Sequence, residues 1–374
     1  MAPGDPAPAV VAAVRSSRLD ITLAHDYLSQ RGGAERVALE MTRAFPDAPL
    51  LTSVYEPAQT FPEFQQVDVR PTSLNRVRAW RREPRLAMPL IAPVISRVPA
   101  CSGVLLCSSS GWAHGFRSLG PKIVYCHNPA RWLYQPGDYF EVLGRAGPLA
   151  GASVRMLRPW DRRAAASATL YLANSSSVAR RIHSSYGIEA EVLHPPAALD
   201  PDGPQEAVAG IEPGFFLTVG RRRSYKNTGL ICTAVERTPG ARLVVVGGLP
   251  GRPGGWPGRI NGVEQVSDAQ LRWLYANCAA VVAVGREDFG LTPVEGFRFG
   301  RPSIVLRAGG YLDSCVEGST SIFVDDVDPA SLAMALRRFD PRDFDSETVR
   351  SHGQRFSPRR FADALRSMVS RVAA

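Results

Sequence analysis

The sequence predicts an α/β protein made of two parallel-sheet domains. Three observations predict it. Short, continuously apolar runs of strand character alternate with helical stretches along the chain, as in sheets covered on both faces. The 374 residues, 45% of them hydrophobic, favour two cores over one. A Pro/Gly/Asp-rich stretch, "HPPAALDPDGPQEAVAGIEPG", interrupts the alternation near the middle.

The elements follow in order. Residues 1–18, "MAPGDPAPAVVAAVRSSR", read as a disordered leader, because no basic start precedes their short apolar stretch. The first domain, 19–196, carries the strand candidates "DITLAHDY", "GVLLCSS", "KIVYCHN", "TLYLAN" and "EAEVLHP". Between them lie the helices "GAERVALEMTRAF" and "SSSVARRIHSSYG"; Ser175 can cap the second and Gly187 can close it. The second domain, 197–355, carries "FFLTVG", "RLVVVGG", "AAVVAV", "PSIVLR" and "SIFVD", with helices "SDAQLRWLYANC", "TPVEGFRFG" and "DPASLAMALRRF". The tail, 356–374, opens on Ser357-Pro358 and continues as an amphipathic helix expected to pack back on the first domain.

Composition narrows the function classes. No apolar run approaches the ~18 residues that span a bilayer. Six scattered cysteines without a CxxC pair fit buried reduced thiols in a cytoplasmic protein rather than disulfides or a zinc site. The net charge is +9, yet the only lysines are Lys122 and Lys226, so each is a candidate for a need that arginine does not meet. From Arg70 to Arg97, seven arginines face one acid, Glu83. Arg76, Arg78, Trp80, Arg81, Arg82 and Arg85 form a patch that suits an anionic membrane surface or a lipid-diphosphate acceptor; a solvated basic helix is the plain alternative. No nucleic-acid module accompanies it.

Four motifs sit where strands end and helices begin, the places where open parallel sheets bind ligands. In "EDFGLTPVE" the amides of Phe289, Gly290 and Leu291 can bind oxygens, and Glu287 and Glu295 can accept from hydroxyls. In "LTVGRRRSYKNTGLI", Arg221 and Lys226 place two cations at a strand tip, which suits a diphosphate. Gly32-Gly33 in "HDYLSQRGGAERV" lets backbone approach a phosphate at a helix start, although a bare Gly-Gly also makes an ordinary turn. In "IVYCHNPARWLY" the Asn128-Pro129 turn would present His127 at the rim of a cleft. Asp326-Val327-Asp328 spells DxD but follows a late strand, and reads as a turn capping the next helix rather than a metal site.

Taken together and in this order, the Gly-Gly loop, the histidine at the strand end, "GRRRSYKN", "EDFGLTPVE" and "GRPSIVLRAGG" resemble the family-four retaining glycosyltransferases. The resemblance covers nearly the whole chain after the leader, and "AHDYLSQRGGAERV", "SSSGWAHG" and "YCHNPARWLY" are similar to a bacterial subgroup that includes polysaccharide mannosyltransferases. It implies the GT-B fold, two Rossmann-like domains facing across a cleft. It implies metal-independent transfer of a hexose, with mannose from GDP-mannose favoured, to a hydroxyl of a glycan or lipid-linked acceptor. Arg221 and Lys226 would neutralise the diphosphate, Glu295 would hold the ribose, and Glu287 with the loop amides would grip the sugar. His127 would face the sugar from the other domain, and Gly32-Gly33 would lie against the phosphates or the acceptor. No cofactor or metal is implied. The enzyme would be cytoplasmic, with attachment to the inner face of the membrane as the functional reading of the basic patch. "LPGRPGGWPGRINGVEQV" departs from the family's usual helix at that point, which bears on the nucleobase. The rivals are a transferase using a UDP- or other NDP-sugar on a small-molecule acceptor, a GT-B epimerase or phosphorylase, and a non-enzymatic anion-binding protein.

Overall fold

In the computed structural model, residues 19–135, 148–220 and 226–374 are described, except the side chains of 148–155. The leader and Arg221 lie outside the described residues. Among those described, the strands are β1 (Ile21–His25), β2 (Leu50–Thr52), β3 (Val69–Pro71), β4 (Val104–Ser109), β5 (Lys122–Cys126), β6 (Leu170–Ala173) and β7 (Glu191–Val192) in the first half. The second half has β8 (Phe215–Val219), β9 (Leu243–Val246), β10 (Ile260–Val263), β11 (Cys278–Ala283), β12 (Ser303–Leu306) and β13 (Ser321–Val324). They form two sheets, ordered β3-β2-β1-β4-β5-β6-β7 and β10-β9-β8-β11-β12-β13. Every pairing is parallel. Each order reverses once, between β1 and β4 and between β8 and β11, and crevices for ligands open at such reversals.

Residue types explain the sheets. The central strands are buried along their whole length, as "VLLCSS" in β4 and "KIVYC" in β5 show. Helices on both faces remove water from both sets of side chains, so the strands need no polar face. Two of the helix ends follow from local chemistry. Ser175 accepts from the Val178 amide at 3.2 Å, and Gly187 closes the same helix at φ 71°. Ser267 and Gln270 make a reciprocal capping box.

Some elements were not anticipated. β2 and β3 are only three residues each, too short for periodicity to register. β10 reads "INGV", and its Asn-Gly pair signals a turn rather than a strand. The helices Met88–Ile95 and Pro148–Ala166 each carry an internal proline, which argues against a helix in sequence.

The chain crosses between the two halves at two adjacent points. The Ala197 amide donates to the Phe356 carbonyl at 2.9 Å, and Arg298 donates to the Ala197 carbonyl at 2.9 Å. The proline-rich stretch is therefore fastened to the second half, with Ala197 and Leu199 buried. After the second crossing comes the helix Pro358–Ala373. Its Phe361, Leu365 and Val369, four residues apart, fall on one face and pack against Leu23, Val37, Met41 and Tyr125 of the first half. The Phe361 ring meets Tyr125 edge-on, with centroids 5.6 Å apart. Truncating this anchor leaves a cavity in a core that the last residues of the chain complete. Phe361→Ala should therefore lower stability by about 3–5 kcal/mol in urea unfolding of the full chain.

Candidate active site

Residues 284–290, ending in the loop Glu287–Gly290, connect β11 to the helix Leu291–Arg298. Three glycines fix the shape of this loop. Gly290 sits at φ 89°, and a Cβ there would lie 2.3 Å from the Tyr311 ring. A Cβ on Gly309 would lie 2.3 Å from the Glu287 carbonyl oxygen, and one on Gly310 would lie 2.2 Å from the Phe289 Cα. The Gly310 amide also donates to the Glu287 carbonyl at 3.1 Å. "RAGG" after β12 thus forms the back wall of "EDFG". Phe289 plugs the loop into the core, 5.3 Å from the His194 ring, so its side chain anchors and only its backbone borders the cleft. No side chain caps the helix that follows, which leaves its first-turn amides for a ligand.

A cleft of about 1420 Å³ lies between the sheets' carboxyl ends. It is lined by Gly32, Gly33, Arg36, His127 and Arg131 from one side, and by Gly220, Lys226, Glu264, Glu287 and Glu295 from the other. The Lys226 ammonium is 3.4 Å from a Glu287 oxygen, and both groups are partly buried, at 27% and 14% exposure. Glu295 accepts from the Tyr275 hydroxyl at 2.6 Å. Burial pushes its carboxyl up from the ordinary value, and Arg36 across the cleft opposes that shift. Arg36 also approaches Asp268 at 3.9 Å and lies over the Phe61 ring at 4.6 Å. Gly33 starts the helix Gly33–Ala44, and a Cβ on it would come 3.2 Å from Leu291 of the donor-side loop. Neither Gly32 nor Gly33 adopts a positive φ, and Gly33 is the one that approaches the opposite wall closely.

His127 lies on the floor of the cleft rather than at its rim, with 8% of its surface exposed. Its Nε2 is 2.8 Å from the Ser108 hydroxyl, which is 3.0 Å from His25 Nδ1. One hydroxyl donates to a single imidazole and accepts from the other. Burial, with His25 adding to it, pushes the His127 imidazole down to about 3, so the ring is neutral at pH 7. Asp26 supports the same wall. Its carboxylate accepts from the amides of Ser110 at 2.7 Å and Ala113 at 2.6 Å, fixing the loop "SSSGWAHG". That loop carries Trp112, stacked on Trp132 with centroids 4.5 Å apart.

Comparison with known proteins agrees with this arrangement. Residues 31–200 match the model "Glycosyltransferase Family 4" and residues 205–340 match "Glycosyl transferases group 1". The two matches are consecutive and lie one on each sheet. The chain belongs to the family-four glycosyltransferases. Solved structures show that the fold is GT-B. Anabaena HepE with UDP superposes with a TM-score of 0.69 at 16% identity, covering 94% of this chain and 100% of that one. Sucrose-phosphate synthase from Thermosynechococcus elongatus gives 0.67 at 16% identity, covering 95% and 99%. Among curated proteins, the chain is 34% identical over 67 residues to the alpha-1,3/1,6-mannosyltransferase ALG2 of Dictyostelium discoideum, covering 18% of this chain and 16% of that one. It is 30% identical over 175 residues to the D-inositol 3-phosphate glycosyltransferase of Corynebacterium efficiens, covering 41% of each. The chain thus spans less than half the length of the curated relatives it matches.

The remaining motifs of this glycosyltransferase chain fall out as follows. Asp328 caps the helix Pro329–Arg338, accepting from Ala330 at 2.7 Å, so the DxD acts there as a turn. Lys122, the other lysine, is buried and donates to the His114 carbonyl at 3.1 Å and Ser167 at 2.8 Å. In the basic patch, Arg76, Arg78, Arg82 and Arg85 are exposed. Arg81 is instead paired with Glu56 at 3.2 Å, and Trp80 packs on the core, so these two leave the surface patch. Arg85 reaches the cleft wall beside Pro84, Met88 and Ile91. Asp26, Arg36, Arg131, Arg181 and Asp288 escaped the sequence reading. Asp26 follows a buried strand and Asp288 sits inside a quoted motif, but their partners are 80 or more residues away.

Two outcomes test this geometry. Gly310→Ala should force the loop off Gly310, cost roughly 1–3 kcal/mol in thermal or urea unfolding, and weaken nucleotide binding measured by calorimetry. Because the folded value of His127 is depressed from 6.5 to about 3, its contribution to stability is complete above pH 6.5 and is lost as pH falls toward 3. His127→Asn should therefore flatten the acid limb of the stability–pH curve in that window, by up to about 1.4 kcal/mol per pH unit.

Proposed function

We propose that the chain is a retaining, metal-independent glycosyltransferase that moves a hexose, mannose from GDP-mannose, to a hydroxyl of a glycan or lipid-linked acceptor. The observation that carries this is the convergence of Lys226, Glu287 and Glu295 on one cleft wall opposite His127 and Gly33. The strand order acts as a ruler for the donor. From β11 through β8 and β9 to β10 is three steps of about 4.8 Å, roughly the length from a sugar to its nucleobase. Glu287 after β11 would take the sugar hydroxyls. Lys226 after β8, with Arg221, would take the diphosphate. Glu295 would accept from the ribose, and Glu264 after β10 would meet the base.

Guanine offers two adjacent donors, its ring N–H and amino group, which suit one carboxylate. Uracil offers a single donor between two acceptors, which a carboxylate repels. This supports a guanosine donor. The short stretch shared with ALG2 is consistent with mannose. A UDP-sugar donor is the second reading, and the UDP and UDP-glucose complexes of Anabaena HepE keep it open.

The chemistry follows from charge. As the sugar–phosphate bond breaks, negative charge grows on the diphosphate, and Lys226 with the uncapped helix start at Leu291 is placed to stabilise it. The departing phosphate would accept the acceptor proton on the same face, so configuration is retained. Neutral His127 would hold a sugar hydroxyl. On the acceptor side, Pro84, Met88, Ile91 and Trp112 give an apolar wall with Arg85 at its edge, which suits an amphiphilic acceptor. Exposed Leu86 and Leu90, at 62% and 43%, stand among Arg78, Arg82 and Arg85, a composition suited to peripheral contact with an anionic membrane.

A thermal-shift screen against GDP-, UDP- and ADP-sugars tests the donor. GDP-mannose should raise the melting temperature most; a larger shift with UDP-glucose would replace the donor but keep transfer. Glu287→Gln should cut kcat about 10²-fold with an acceptor present. Turnover at the unmodified rate in that variant, or turnover needing no acceptor, would sink the reading.

A further inference from the structure

The donor-side loop touches the opposite domain through Asp288, which lines the cleft beside Arg131. One Asp288 oxygen pairs with Arg131 and the other with Arg181. The Ser175 hydroxyl donates to the Asp288 carbonyl, and the Ser176 amide donates to Asp313. His194 Nε2 lies 3.6 Å from the same Asp313. Asp288 is 18% exposed, and its arginines are 32% and 30% exposed, so the pairs are shielded more than surface ion pairs.

What distinguishes the contact is its position in sequence. Asp288 follows Glu287, the residue assigned to the sugar. Arg181 also donates to Asn128 Oδ1 at 3.2 Å, and Asn128 follows His127. A single guanidinium therefore ties the neighbour of one sugar-facing residue to the neighbour of the other. Arg131 opens the short helix Arg131–Tyr134 that follows the same turn, and it makes a second tie. Both ties cross between the halves, which the chain itself joins at residues 197 and 356.

We propose that Asp288 is a positioning residue. Its clamp on Arg131 and Arg181 sets the separation of Glu287 from His127 and holds the cleft closed enough for sugar and acceptor to react before water does. The proposal rests on the glycosyltransferase reading for its kinetic consequence but not for its conformational one. A misplacement of about 1 Å between reacting groups can cost about 10²-fold in rate, so loss of the clamp should fall on kcat more than on nucleotide affinity.

The test uses the full chain with Asp288→Asn, Asp288→Glu, Arg131→Met and Arg181→Met. Asp340→Asn serves as control, because its exposed pair with Arg342 lies outside the cleft. Solution scattering without ligand should show a larger radius of gyration for Asp288→Asn than for the unmodified chain. High salt should expand the unmodified chain toward the variant, and the control should behave as the unmodified chain. With GDP as probe, calorimetry should give a Kd within about threefold of the unmodified value. With donor and acceptor, kcat should fall at least about tenfold, and the fraction of donor lost to hydrolysis should rise. Asp288→Glu should recover part of both. Unchanged scattering together with unchanged kcat would overturn the proposal. So would a loss of GDP affinity that matches the loss of kcat/KM, since Asp288 would then act on the donor directly. If the unmodified chain transfers no sugar at all, the function reading fails, and the scattering result alone decides the clamp.

Discussion

The arrangement depends on one steric constraint: the loop Glu287–Gly290 lies against Gly309-Gly310 with no room for a Cβ between them. Backbone contact at this range fixes both carboxylates that follow β11. Glu287 turns toward Lys226 in the cleft, and Asp288 turns toward the opposite domain. The core holds the loop from behind through Phe289, and the helix start at Leu291 faces forward. A longer side chain at either glycine would move all of these together. The loop is thus packed as one part with its neighbours.

The second constraint is the closeness of the two chain crossings. Ala197 and Phe356 share a backbone hydrogen bond, so the halves are joined at one narrow place. The helix Pro358–Ala373 then returns the end of the chain to the first half, where Phe361 and Leu365 complete its core. Narrow joining permits rotation between the halves. Beside the Phe289–His194 ring contact, polar contacts at the cleft oppose rotation: Asp288 with two arginines, Arg36 with Asp268, and Ser176 with Asp313. Polar contacts of this kind form and break at lower cost than an apolar interface, because water can replace their partners.

The fold was largely legible because its signals are local. Continuous apolar strands, the Ser175 cap and Gly187 each involve residues within a few positions of one another. Glu287 and Glu295 could be read together for the same reason, since they belong to one loop and helix. What sequence did not show is which side chains oppose each other across the cleft. Arg36 against Glu295, and Arg181 against Asp288, are decided by how the two sheets face, and no spacing rule encodes that. The packing of partly buried Trp80 against the core and the pairing of Arg81 with Glu56 were hidden likewise: the basic run reads as uniform, while packing sorts it into inner and outer faces.

One ion pair in the cleft wall bears on how the proposed donor would enter. Lys226 and Glu287, 3.4 Å apart, attract each other by on the order of 5 kcal/mol at an effective dielectric of about 20, before desolvation is subtracted. A diphosphate brings about two negative charges against the single charge of Glu287, so it wins Lys226 in direct competition. On the proposed reading, Glu287 then turns from the Lys226 ammonium to the sugar, whose hydroxyls would donate to it. One ion pair therefore links the two ends of the proposed ligand: charge on the phosphates frees the carboxylate that the sugar requires.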